Sequence, residues 1–279
     1  MKTILVPTDF SKSAKNALNY AIGIAQKTNA EILLVHAFQI HYAYNIGPYP
    51  TQFIENEIRH VEGLANAHLR SIAKEIYELQ SVKCEYVSLF GEATDVILET
   101  IKQKKPYLVI MGTKGATGLK GFMIGSTAAR IISGATQPVM AIPQVAKYHE
   151  IRKIVFATDY HKNDLACFKI LLELAELYMA HIDVVHIYNG DNMETEKNDL
   201  LKFKEKIDKK YAYRDITYSL HLVMQTEDKL KDVASSKSND LFVMSTHHRF
   251  FMESIWNRSI TKTIANQIRI PLLALHTDN

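Results

Sequence analysis

At 279 residues, 47% of them hydrophobic and 23% charged, the chain has room for two globular domains that each bury a core. Its 33 basic and 30 acidic residues leave a formal charge of +3 and are spread along the chain, which gives no electrostatic basis for nucleic acid or an anionic membrane as partner. No apolar run approaches the ~18 residues of a membrane span, Pro7 and Asp9 interrupt the N-terminus before a signal-peptide core can form, and Cys84 and Cys167 fit no metal-type spacing, so a cytoplasmic protein with two free thiols is expected.

The first predicted element is a strand over 3–7 that runs into Pro7-Thr8-Asp9. The stretch SKSAKNALNYAIGIAQKT then places Ala14, Leu18, Ala21, Ile22 and Ala25 on one helical face, with Ser11 as N-cap. Further strands are predicted over 32–38, 83–89, 107–111 and 138–142. The loop after the second strand carries Tyr42, Tyr44 and Tyr49, which either cover a ligand or pack on a helix.

The pattern then restarts, with strands over 153–158, 182–188, 216–222, 241–245 and 271–275. A helix over KNDLACFKILLELAELYMA presents Leu165, Phe168, Leu172, Ala175 and Met179. ILVPTD returns as IVFATD, ILLVHAF as IDVVHIY with His186 answering His36, YLVIMGT as LFVMST, and PVMAI as PLLAL. Early landmarks are offset by 150 residues (Asp9 to Asp159) and late ones by 133 (Gly112 to Ser245), so the second copy has lost residues in its middle. Short apolar runs alternating with helices give βαβ units and a parallel sheet buried on both faces. The expected fold class is α/β: two tandem doubly wound domains, each a five-stranded parallel sheet with helices on both faces, Rossmann-like. The domains are placed at 1–145 and 151–279. Lys202–Lys210, interleaved with Glu205 and Asp208, reads as a solvated helix face.

The fourth strand of the first copy ends in a glycine loop, from Met111 and Gly112 through Gly115 to Gly125-Ser126-Thr127, with a helix after it. Glycines let consecutive N–H groups converge on an anion, the two hydroxyls add donors, and the helix N-terminus points at the same spot. Lys114 is either a further phosphate contact or a solvated loop lysine. The P-loop and GxGxxG templates do not fit. In the second copy Ser245, His248, Arg258 and Ser259 replace the loop's fixed positions, so that site is expected to be degenerate. His247, His248 and Arg249 either bind a metal or anion or belong to a surface. Asp9 either meets a ligand or caps the following helix. His36 and His186 recur with or without the glycine loop, which favours a structural role.

The spacing G-x2-G-x9-G-[ST] after the fourth strand, with PTD closing the first, resembles the universal stress protein family, strongly over 1–143 and more loosely over 151–276. The resemblance implies an adenine-nucleotide site for ATP, with Mg as accompanying ion. It implies Pro7, Thr8 and Asp9 at the nucleoside, with Val35 or His36 near the base. Around ribose and phosphates it implies Met111, Gly112, Gly115, Gly125, Ser126 and Thr127. It also implies pairing through the last strands, as an intrachain pseudo-dimer or as a homodimer of chains. No acidic residue lies in the glycine loop to hold a catalytic metal, and Arg130, one turn into the next helix, is expected to face away. The expectation is therefore a non-catalytic stress-response sensor with one live site. A ligand-free scaffold and a slow ATP hydrolase are the alternatives.

Overall fold

The structure, a computed structural model, describes residues 2–40, 51–113, 125–160, 162–188, 192–222, 238–246 and 269–276. The first half runs β1 (Thr3–Pro7), α1 (Lys12–Thr28), β2 (Glu31–Phe38), α2 (Thr51–Gln80), β3 (Cys84–Phe90), α3 (Ala93–Lys104), β4 (Leu108–Gly112), α4 (Ser126–Gly134) and β5 (Val139–Ile142). The second runs β6 (Lys153–Ala157), α5 (Lys162–Tyr178), β7 (His181–Tyr188), α6 (Met193–Lys210), β8 (Ile216–Leu222), β9 (Leu241–Ser245) and β10 (Leu272–Leu275). Every strand end lies within one residue of its sequence-based expectation.

The strands form one ten-stranded sheet in the order β3-β2-β1-β4-β5-β10-β9-β6-β7-β8. Each half repeats one winding, and all pairings within a half are parallel. The halves join where β5 meets β10 antiparallel, with Met140 opposite Leu273. Central strands are buried on both faces, and alternate residues serve two cores. Ile4, Val6, Ile32, Leu34 and Ile110 face α1 and α2, whereas Leu5, Leu33, Val35, Val109 and Met111 face α3 and α4. Burying each such side chain contributes about 1.5–3 kcal/mol.

Ser11 caps α1 as expected, its hydroxyl accepting from the Ala14 N–H at 3.2 Å. The buried stripe is rotated from the expected one: Ala17, Tyr20 and Ile24 join Ala14, Ala21 and Ala25, while Leu18 and Ile22 are only half-buried at its flank. On α5 the stripe ends at Tyr178. Met179 departs from the sequence reading, being 87% exposed at φ +51° just past the last helical turn. Its left-handed backbone turns the chain so that Ala180 N–H reaches Ala175 O at 2.9 Å and β7 can begin. Asn29 performs the same turn after α1 at φ +52°.

The segment between the halves is fastened to α1. Asn16 Nδ2 donates to the carbonyls of Pro143 and Ala146, and Tyr20 Oη donates to Lys147 O at 2.9 Å. Tyr148 lies over Gly23 so closely that a β-carbon there would enter the tyrosine ring. As expected, α6 presents its lysines to solvent and buries only Phe203 and Ile207. Among the described residues, no helix is long and apolar enough to cross a membrane.

Candidate functional site

In the first half the chain leaves β1 towards β2 on one side and β4 towards β5 on the other. The crevice beyond the ends of β1 and β4 is thus a topological switch point, where open α/β sheets admit ligands. A cleft lies there. Pro7, Thr8 and Asp9 form one wall with Val35, and Met111, Gly112, Gly125, Ser126 and Thr127 form the other. The structure therefore gathers nine of the eleven residues singled out from sequence. Gly115 lies outside the described residues, as do Lys114, Tyr42, Tyr44, Tyr49 and the second-half residues His247, His248, Arg249, Arg258 and Ser259.

His36 is placed elsewhere. Successive strand residues point to opposite faces, so Val35 and Ala37 line the cleft while His36 turns to the α1–α2 side. There its Nδ1 makes a 2.8 Å hydrogen bond to Thr8 O, and its ring packs 4.5 Å from that of Phe10. Phe10 has φ +62° and stacks on His68 at 4.3 Å. Bulky residues rarely hold positive φ, and here the two histidine contacts and the Phe10 N–H bond to Thr8 Oγ1 (3.1 Å) hold the turn in place. Thr8 N–H donates to Val35 O at 2.9 Å, and Asp9 Oδ1 accepts from the Ser11 N–H at 3.0 Å. The exposed Asp9 carboxylate thus supports the helix start and also borders the cleft.

Gly112 is needed for close approach. A β-carbon there would stand 2.3 Å from Ser13 Oγ and 2.9 Å from the Ser13 carbonyl carbon, because the first turn of α1 rests on the end of β4. The Gly125 N–H returns to Thr113 O at 2.6 Å and sets the start of α4 against β4. Three helices begin around the cleft. Ser11 caps α1, and Glu92 caps α3 by accepting from the Thr94 N–H (2.8 Å) and the Asp95 N–H (3.2 Å). At α4 the cap residue is Gly125, with no side-chain cap bond. The first-turn N–H groups of α4, which no intrahelical carbonyl can satisfy, are the donors available to an anion.

Ala14, Ala37, Ala93, Ile97, Thr113 and Ala128 also line the cleft and were not singled out from sequence. Ala37 was accessible from the two-residue period that exposes Val35. Ala14, Ala93, Ile97 and Ala128 carry no polar side chain and are brought in by topology, whereas Thr113 directly follows Gly112 and carries a hydroxyl. Glu92 is a carboxylate beside the cleft that a loop-centred reading does not count; it is committed to capping α3 and stands 4.0 Å from Arg130 Nη1. Burial pushes the thiols of both Cys84 and Cys167 up to about 12, with Glu85 and Asp164 adding to the effect, which keeps them protonated at neutral pH. Among the described residues, no three His, Cys, Asp or Glu side chains gather to hold a metal.

The model of the universal stress protein family matches residues 1–143. A universal stress protein of Methanocaldococcus jannaschii is 30% identical over 146 residues, covering 52% of this chain and 84% of that one. One from Bacillus subtilis is 28% identical over 144 residues, covering 50% of this chain and 97% of its own. Among solved structures, a universal stress protein from Archaeoglobus fulgidus superposes with a TM-score of 0.75 at 13% identity, covering 98% of each chain, which shows a shared fold across both halves.

Proposed function

The chain belongs to the universal stress protein family, and we propose that residues 1–145 form a domain that binds one adenine nucleotide, ATP with Mg, as a non-catalytic stress-response sensor. Residues 151–279 form a second domain of the same kind whose loop no longer holds a nucleotide. The observation that carries this reading is the meeting, at one switch point, of the uncapped start of α4 with the turn Pro7–Asp9. An anion suits the first, and the hydroxyls and ring of a nucleoside suit the second. Gly112, Gly125, Ser126 and Thr127 then serve phosphate and ribose, Thr8 and Asp9 the nucleoside, and Val35 with Ala37 the base. His36 acts through Thr8.

Hydrolysis lacks support. Efficient phosphoryl transfer needs a group to orient water and carboxylates to hold a metal, and the nearby Glu92 is engaged as a helix cap. A sensor needs only that the bound and empty states present different surfaces to a partner. The free thiols suit the reducing cytoplasm.

The deciding experiment is a calorimetric titration of nucleotide-stripped protein with Mg-ATP, beside a folded Gly125→Val variant. One site per chain, lost in the variant, is expected. Absence of heat with the wild-type chain overturns the reading and leaves a ligand-free scaffold, and two sites per chain overturn the assignment of the second domain.

A further inference from the structure

The two halves share the same strand-end framework. Thr158 N–H donates to Val185 O at 3.1 Å as Thr8 N–H does to Val35 O, and His186 Nδ1 bonds Thr158 O at 2.6 Å as His36 Nδ1 bonds Thr8 O. Tyr160 takes φ +59° where Phe10 takes +62°. On this common frame, alongside the apolar changes of Pro7 to Ala157 and Ala37 to Ile187, two cleft-lining positions of the first half gain polar side chains: Ala14 becomes Asp164 and Gly112 becomes Ser245.

The two new side chains meet. Ser245 Oγ donates to Asp164 Oδ1 at 2.7 Å, Thr158 Oγ1 donates to Oδ2 at 2.7 Å, and the Asp159 N–H donates to Oδ2 at 3.2 Å. Asp164, Ser245 and Thr158 are each 1% exposed. A carboxylate is tolerated at such depth only when donors surround it. Here they come from the ends of β6 and β9, the strands that correspond to the cleft-forming β1 and β4. In the first half the same place holds a methyl group and a glycine and opens into the cleft.

We propose that Asp164 is a resident anion: its carboxylate takes up the donors at the strand ends of the second half and bars an anionic nucleotide from that half. This rests on the nucleotide reading of the first cleft, and it supplies a cause separate from the loss of the glycines. A phosphate entering the second half would meet a fixed like charge whose donors are already engaged, so the wrong ligand is rejected by repulsion as well as by lost contacts. The reverse substitution pattern leaves the first half receptive.

Two experiments test it, and only one depends on nucleotide binding. Asp164→Ala leaves three donors around a carboxylate-sized hole. Millimolar sodium formate, compared with sodium chloride at equal ionic strength, is expected to raise its melting temperature but not that of the wild type. A formate response that is absent from Asp164→Ala, or equal in the wild type, overturns the proposal whether or not the chain binds nucleotide. The second experiment transplants the anion. Ala14→Asp is expected to weaken Mg-ATP binding by about tenfold or more beyond Ala14→Asn, which has the same bulk without the charge, while neutral adenosine is weakened equally by both. Equal loss of Mg-ATP in the two variants would mean that bulk alone acts, which also overturns the proposal. Should Asp164→Ala fail to fold with or without formate, the transplant decides. Should the wild type bind no Mg-ATP, the nucleotide reading falls and the formate comparison still judges Asp164.

Discussion

Gly112→Ala is the substitution whose cost can be worked most directly from the geometry. The added methyl would stand 2.3 Å from Ser13 Oγ, 2.9 Å from the Ser13 carbonyl carbon and 3.0 Å from Ser13 Cβ. The hydroxyl can rotate away. The carbonyl carbon is backbone in the first turn of α1, and bringing it to van der Waals distance requires a shift of roughly half an ångström. That turn is held by the Ser11 cap and by Asp9, so the shift is resisted. Overpacking of this kind costs about 1–3 kcal/mol, which for a chain of this size lowers the melting temperature by about 2–10 °C. Thermal and urea denaturation followed by circular dichroism read the change. Ser13→Ala, measured alone and combined with Gly112→Ala, separates the two contacts: the pair is expected to recover part of the loss, since the backbone contact persists. Wild-type stability in Gly112→Ala would refute the claim that the end of β4 and the start of α1 are in obligatory close approach, and full recovery in the pair would reduce it to a hydroxyl clash.

Met179→Asn is expected to stabilise the fold by about 0.5–1 kcal/mol, because an exposed methionine at φ +51° gives way to a residue that accepts left-handed backbone, as Asn29 does after α1; an unchanged denaturation midpoint would count against this. Gly23→Ala places a β-carbon 2.0 Å from the Tyr148 ring. It is expected to free the segment 143–151 for limited proteolysis without loss of helix signal, and wild-type resistance would show that Tyr148 can move aside at no cost. The two thiols, raised on folding from 9.0 to about 12, favour the folded state fully below pH 9 and lose that contribution as pH climbs towards 12. Alkaline denaturation is therefore expected to flatten in Cys84→Ala, Cys167→Ala, and a slope equal to the wild type would remove the thiols as a cause.

Strand positions were legible because central strands of a parallel sheet are apolar on both faces, and such runs stand out against amphipathic helices. Helix faces were less so. On α1 the expected face held Ala14, Ala21 and Ala25, which are buried, but took Leu18 and Ile22 where Ala17, Tyr20 and Ile24 are the buried residues. Apolar residues lie on both sides of that stripe, so their spacing alone does not fix which edge turns to the sheet. The glycines and hydroxyls of the loop were legible from their chemistry, and Pro7, Val35 and Met111 from the family resemblance, whereas Thr113 and the small-residue wall were not. Ala14 matters by being small, and Ala93 and Ile97 by where α3 begins. The position of His36 follows from strand phase, since it stands between two residues of the opposite core face.

A repeat within one chain separates architecture from function, because whatever both copies keep cannot account for a difference between them. The bond from Thr8 N–H to Val35 O, the histidine on the Thr8 carbonyl and the aromatic at positive φ all recur at Thr158, His186 and Tyr160. These belong to the turn that every copy must make, and the conserved Asp9–Asp159 pair belongs in part with them. Among the positions that differ, two stand at the cleft and touch each other in the second half. The first half keeps a methyl at Ala14 and no side chain at Gly112, where the second has placed Asp164 and Ser245 in mutual contact. A buried carboxylate with three well-placed donors is more than the decay of an unused site, which would leave an apolar gap or an unpaired group. The second half satisfies its strand-end donors internally, and on the reading proposed above the response to nucleotide falls to the first.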